Sequence, residues 1–286
     1  MKIGLFAPLG NPFSTPEYIA TLGREAEARG FHSIWAAEHV VLFDDYASQY
    51  PYAADGKIPA GGESGILEPF TALSFIAAVT DRIRLGTGIC LVPQRNPVYT
   101  AKEVTAVDWL SNGRFDFGIG VGWLKEEFDA CNVDFAHRGT RTREYIEVMR
   151  RLWQDPISEH HGEYYDMPAL RQYPKPVQQP HPPIHIGGES DAALRRVADF
   201  GQGWYGFNLL PEDMAGHFAR LDKFLADRGR SRSEIEVSVC PYLKGAGADQ
   251  VKQYEDAGVD QVILLALGFD IDGLKSTLDD LATAID

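Results

Sequence analysis

The chain has 286 residues, 44% of them hydrophobic and 24% charged, enough for a sizeable core and a solvated surface. Its 27 Lys and Arg stand against 41 Asp and Glu, a formal charge of −14, which argues against nucleic-acid binding through a basic stripe. Cys90, Cys131 and Cys240 are far apart and form no Cys-x-x-Cys pair, so a disulfide framework or a structural zinc is not expected.

The predicted elements alternate along the chain. The first strand, Lys2–Ala7, begins almost at Met1 and is soon interrupted by Pro8, Gly10 and Pro12. That is too short for a signal-peptide core, and residues 70–79 are too few to span a bilayer, so a cytoplasmic enzyme is the expectation. Ser14 and Glu17 stand at capping-box spacing before a helix with Ile19, Leu22 and Ala26 on one face, ended by Gly30. A second strand covers 33–37. A third, 83–91, leads to a helix from Pro97 to Asn112-Gly113, and a fourth, 114–120, to a helix carrying Ile146, Met149 and Trp153. The second half repeats the rhythm. Strands at 183–187, 203–206, 236–242 and 261–267 each precede a helix, the last with Leu274, Leu278, Leu281 and Ile285 on one face.

Eight strand–helix units point to a single-domain (β/α)8 TIM barrel, with a doubly wound open sheet as the alternative. Two insertions break the rhythm, 40–67 after strand 2 and 154–182 before strand 5, and loops of this length often act as lids or binding loops. The predicted helix 69–80 has almost no polar face. Either the insertions cover it or a second subunit does, and a homodimer is the expectation.

Barrel active sites lie at the C-terminal ends of the strands. Glu38 and His39 follow strand 2, and a histidine there suits proton transfer near neutral pH. Gly118, Gly120 and Gly122 close strand 4 without the spacing of a dinucleotide fingerprint, since position 123 is Trp. Gly187, Gly188, Glu189 and Ser190 run from strand 5 into a helix, either a phosphate seat or an ordinary capped turn. Glu189 beside a phosphate would have to point away. Gly86 and Gly88 at the end of strand 3 suggest close approach by a ligand. Cys90 and Cys240 read as packing residues. His160, His161 and Glu163 read as a turn at Gly162 backed by Tyr164 and Tyr165 rather than as metal ligands, and no metal is expected.

These segments together resemble the bacterial luciferase-like oxidoreductases, a barrel family that uses FMN or the deazaflavin coenzyme F420. The resemblance rests on residues 26–31 through Trp35 to Glu38-His39, on 82–88, on Arg95-Asn96-Pro97, on 110–114, on 118–123 with Glu127-Phe128, and on 174–177 through Pro182-Pro183 to Gly187-Gly188. The run Gly120-Val121-Gly122-Trp123 looks most like the deazaflavin-using branch. The resemblance implies that Thr87, Gly88 and Ile89 back the ring system, with a cis bond between Gly88 and Ile89. It implies that Val121 and Gly122 line the ring, that Glu38 and Asn96 belong to the cofactor site, and that Gly187, Gly188, Glu189 and Ser190 meet the phosphate. His39 would face the reactive carbon. Relatives that oxidise sugar phosphates carry an acid at the position of Trp123 and an aromatic at that of Phe43. Phe43 and Trp123 therefore suggest an apolar substrate pocket. The expected activity is F420-dependent hydride transfer to or from a small organic substrate. An FMN-dependent monooxygenase and a non-catalytic flavin-binding barrel are the alternatives.

Overall fold

Strands that are buried on both faces need apolar residues throughout, and the sequence supplies them in short runs. In the computed structural model, which describes residues 1–59 and 63–285, these runs are β1 (Lys2–Ala7), β2 (Ser33–Ala36), β3 (Arg84–Thr87), β4 (Cys90–Leu91) and β5 (Phe115–Gly120). After a hairpin of β6 (Ser158–His161) and β7 (Asp166–Leu170) come β8 (Ile184–Gly187), β9 (Gly203–Phe207), β10 (Glu236–Cys240) and β11 (Gln261–Leu265). The helices are α1 (Pro16–Ala28), α2 (Pro69–Ala77), α3 (Pro97–Leu110), α4 (Lys125–Ala130), α5 (Arg138–Gln154), α6 (Asp191–Phe200), α7 (Met214–Ala226), α8 (Ala248–Asp256) and α9 (Ile271–Ala282).

All pairings around the main sheet are parallel, in the order β1, β2, β3, β5, β8, β9, β10, β11. The register of β1 with β11, Phe6 opposite Leu265, closes the ring. An open sheet would leave these two strands as edges, so the alternative fold is excluded. β4 continues β3 past residues 88 and 89 and pairs Cys90 with Ile119.

The period of two along each strand separates an inside from an outside. Ile34 and Trp35 are neighbours in β2, yet Ile34 packs in the large cluster between strands and helices. Trp35 packs within the barrel against Phe6, Tyr205, Cys240 and Ile263.

Several boundaries differ from the sequence reading. Thr15 rather than Ser14 caps α1, its hydroxyl accepting from the Tyr18 N–H at 3.2 Å. The apolar helix ends at Ala77, short of residue 80, because Thr80 turns its hydroxyl back onto the Ile76 carbonyl. The second insertion is partly ordered as the β6–β7 hairpin, whose tight end is organised by Glu144 accepting from the N–H groups of Glu163, Tyr164 and Tyr165. Residues 60–62 of the first insertion lie outside the described residues.

Candidate active site at the barrel mouth

His39 leaves the end of β2 half-buried, and its Nδ1 lies 3.2 Å from Glu127 Oε2. Glu127 sits on α4 with its side chain 1% exposed. The same carboxylate accepts from the Val40 N–H at 2.6 Å and from Gln94 Nε2 at 3.1 Å. A carboxylate surrounded by donors requires Nδ1 to donate as well, which leaves Nε2 as the open nitrogen. Among the described residues no protein group hydrogen-bonds that nitrogen. The ring meets the edge of Trp123, centroids 5.9 Å apart. Glu127 was within reach of sequence reasoning: it stands four residues after Trp123, but nothing local showed that α4 folds back under His39.

Two residues expected at a cofactor are engaged elsewhere. Glu38 is buried, accepts from the Leu91 N–H and from Arg95 Nε at 2.7 Å, and so fastens β2 to the segment after β4. Arg95 also binds Glu103 at 2.8 Å and Glu68 at 2.6 Å. Burial works against the Arg95 charge, but these acidic neighbours raise its pKa. Asn96 is exposed and caps α3 by accepting from the Val98 N–H at 3.0 Å. Its signal was the Asn-Pro pair itself, a helix start. Thr87 is fully buried and donates to the Gly118 carbonyl at 2.7 Å, so its hydroxyl is spent within the barrel wall.

The glycines behave differently from one another. A Cβ on Gly86 would lie 2.4 Å from the Trp35 ring, so the room left at Gly86 is filled by indole and not by a ligand. A Cβ on Gly120 would lie 1.8 Å from Ile89 Cδ1, and one on Gly187 would lie 3.0 Å from Ile89 Cγ2. Strand-end glycines from β5 and β8 thus make room for Ile89, which stands half-buried at the rim after a cis peptide with Gly88. Val121, Gly122 and Trp123 are half-buried beside it at the end of β5.

Beyond β8, Gly188 has φ +106° and Ser190 caps α6 by accepting from the Ala193 N–H at 3.2 Å. The turn is capped, and the N–H groups of Asp191 and Ala192 have no acceptor among the described residues. Glu189 turns aside, as a neighbouring anion would require. It accepts from the Phe207 N–H at 2.8 Å and from the Tyr52 hydroxyl at 3.0 Å, and burial holds its pKa above the usual carboxylate value.

Trp123, expected with Phe43 to line an apolar pocket, stands in an aromatic cluster. Trp123 packs against Tyr50 at 5.1 Å and Tyr46 at 5.6 Å, and Tyr50 continues to Tyr52, then Phe207 and Tyr242. Phe43 makes no ring pair among the described residues. The aromatic cluster at the mouth is built from Trp123 with residues 46–52 of the first insertion, and Phe43 is half-buried on the same insertion. Deeper in, Tyr205 is 1% exposed, and among the described residues its hydroxyl meets no oxygen or nitrogen partner, only the Cys240 thiol beside it. That oxygen lies 3.0 Å from where a Gly88 Cβ would stand. Cys90 and Cys240 are buried packing residues, and burial pushes the Cys240 thiol up to about 12.

Among the described residues no group of His, Cys, Asp and Glu is arranged to hold a metal, and no helix is long and apolar enough to cross a membrane. The family model described as luciferase-like monooxygenase matches residues 1–257. An uncharacterised protein of Mycobacterium tuberculosis is 33% identical over 243 residues, 85% of this chain and 83% of that one. The oxygenase component of a flavin-dependent trigonelline monooxygenase from Acinetobacter baylyi is 32% identical over 163 residues, 56% of this chain and 40% of its own length. An F420-dependent secondary alcohol dehydrogenase, solved with an F420–acetone adduct, superposes with a TM-score of 0.79 at 16% identity, over 100% of this chain and 99% of that one. With its closed barrel and its match over most of the length, the chain belongs to the luciferase-like monooxygenase family.

Proposed function

We propose that the protein is an oxidoreductase that moves a hydride between coenzyme F420 and a small, largely apolar organic substrate. The observation that carries this reading is His39, whose Nδ1 is held by buried Glu127 while Nε2 is left open beside Trp123. A neutral imidazole held in that way takes a proton from a substrate hydroxyl at Nε2, or returns one, as the hydride leaves or arrives. Two features fit a flat, phosphate-bearing group: the buried Tyr205 hydroxyl beside Gly88, without an oxygen or nitrogen partner among the described residues, and the free N–H groups opening α6. Gly88 and Ile89 would back the ring, Val121 and Gly122 would line its edge, and residues 187–190 would take the phosphate. When bound, the deazaflavin supplies the carbon that carries the hydride. The aromatic walls would keep water from that carbon and select apolar substrates.

A second reading is an FMN-dependent monooxygenase, favoured by the trigonelline monooxygenase relative. Titrating the purified protein with each cofactor, followed by quenching of its tryptophan fluorescence, separates the two. Saturable binding of F420, tighter than that of FMN, is expected. Tight binding of FMN with none of F420 would replace hydride transfer by oxygen activation.

The proposed assembly is a homodimer through α2 and α3, where Phe75, Tyr99, Trp109 and Leu110 are exposed on neighbouring helices. Sedimentation at twice the chain mass supports it, and a monomer at micromolar concentration contradicts it.

A further inference from the structure

The carboxylate of Glu127 is held by more than His39. Nδ1 of the imidazole lies 3.3 and 3.2 Å from its two oxygens, Oε1 and Oε2. Oε1 also accepts from the first insertion, from the Val40 N–H at 2.6 Å and the Val41 N–H at 3.4 Å. Oε2 accepts from the side-chain amide of Gln94 at 3.1 Å. Gln94 ends a single 3-10 turn, Val92–Gln94, and is 8% exposed. Arg95, next in the chain, anchors that turn through Glu38, Glu68 and Glu103. The other end of the amide is idle: Gln94 Oε1 is buried without a partner among the described residues. Methionine would fill this volume and leave no acceptor unmade, so packing alone does not account for an amide here. Turned the other way, the amide would set its oxygen against the carboxylate.

A carboxylate that faces only an imidazole favours the imidazolium, and each further donor spreads its charge and weakens that pull. Among the described residues no Lys or Arg donates to Glu127. Glu38 and Arg95 are paired with each other, and Glu126 turns from α4 to Ala47 and Ser48. Cys131 ends α4 within reach of the charges of Glu127, Glu38 and Arg95. We infer that Gln94 is a positioning residue for the proton transfer: its amide donates to Glu127, fixes the carboxylate beside His39 and limits its pull on the imidazolium, so that Nε2 can both take and return a proton. This rests on the reading of His39 given above and goes beyond it, since Gln94 acts only through Glu127.

The test needs neither cofactor nor substrate. Imidazole ¹⁵N shifts of His39 are followed across pH in the wild type, Gln94→Met and Gln94→Lys. The rate at which diethyl pyrocarbonate acylates His39, read by peptide mass spectrometry, gives a second measure of free Nε2. Thermal unfolding of each variant checks folding. Gln94→Met keeps the volume and removes the donor, so the midpoint of the His39 titration rises by about one pH unit and acylation slows below that midpoint. Gln94→Lys replaces a dipole by a charge, so the midpoint falls below that of the wild type. Loosened packing would not move the two variants in opposite directions. An equal or lower midpoint in Gln94→Met would overturn the role of Gln94 and leave the reading of His39 standing. A wild type with the imidazole proton on Nε2 rather than Nδ1 would overturn that reading, and the inference with it. Should Gln94→Lys not fold, Gln94→Met alone decides.

Discussion

The two ends of the barrel hold polar groups in opposite ways. At the base, Arg84 donates to Asp116 twice, at 2.8 and 2.6 Å, and Lys2 pairs with Glu236 at 2.9 Å. Ser33 donates to Gln261 and Gln261 to Ser238, each at 3.1 Å, so charges and dipoles there are spent on one another. His185 Nδ1 is the exception, buried without a partner among the described residues in a ring whose pKa burial lowers. At the mouth, among the described residues, His39 Nε2 stays open while the Glu127 carboxylate behind it is satisfied, and the Tyr205 hydroxyl has only the Cys240 thiol beside it. Size of cavity does not mark the working end: concavities of about 500 and 730 Å³ both lie at the base, lined by residues such as Lys2, His32, His185 and Glu236. What marks it is unspent hydrogen-bonding capacity on a rigid support.

The largest effect that sharpens this contrast is at His39. Replacing it by Ala is expected to lower kcat by 10²–10⁴-fold with cofactor affinity within a few-fold, measured by steady-state kinetics and titration. Glu127→Gln keeps the shape but frees the tautomer, so a loss of about 10–100-fold is expected, with altered imidazole ¹⁵N shifts for His39. Full activity of His39→Ala breaks the assignment. At the base the order reverses. Asp116→Ala strands Arg84 and is expected to cost about 3 kcal/mol in chemical unfolding while leaving cofactor affinity unchanged. A large loss of affinity at constant stability would show that the base is not merely structural.

The smallest effect concerns the middle of the first insertion, where Glu126 holds Ala47 and Ser48 and Glu189 holds Tyr52. Burial works against the Glu126 charge, but hydrogen bonds from the Ser48 hydroxyl and the N–H groups of Ala47 and Ser48 bring its carboxyl down to about 2. Its contribution is therefore present above the unfolded carboxylate value and lost as pH falls through about 2. Glu189, raised by burial, has the opposite sign, and its share of stability falls as pH rises above the unfolded value. Glu189→Gln is then expected to raise Tm by a degree or two at pH 7 and to leave it unchanged near pH 4. Equal shifts at both pH values would contradict a raised Glu189 pKa as their cause.

Much of this contrast was legible in the sequence. Alternation of strands and helices gave the barrel, and strand ends selected His39, Ile89, Gly122 and Ser190, which the fold gathers at one rim. What local pattern could not carry were the long-range partners. Glu127 reaches His39 across 88 positions, and Tyr52 reaches Glu189 across 137. The resemblance assigns Glu38 and Asn96 to the cofactor site, while in the fold Glu38 binds Arg95 and Asn96 caps α3, partners that no local pattern shows. At Gly86 the missing Cβ shows that something approaches, and the visitor is the chain's own Trp35 ring.

The most direct test of the open mouth is a crystal structure with F420 bound. The ring is expected to sit against Ile89, with its hydride-bearing carbon facing a space bordered by His39 Nε2, near enough for one substrate atom to lie about 3–3.5 Å from each. A ring bound at the base, or one seated in the mouth with His39 Nε2 turned away from that carbon, would contradict it.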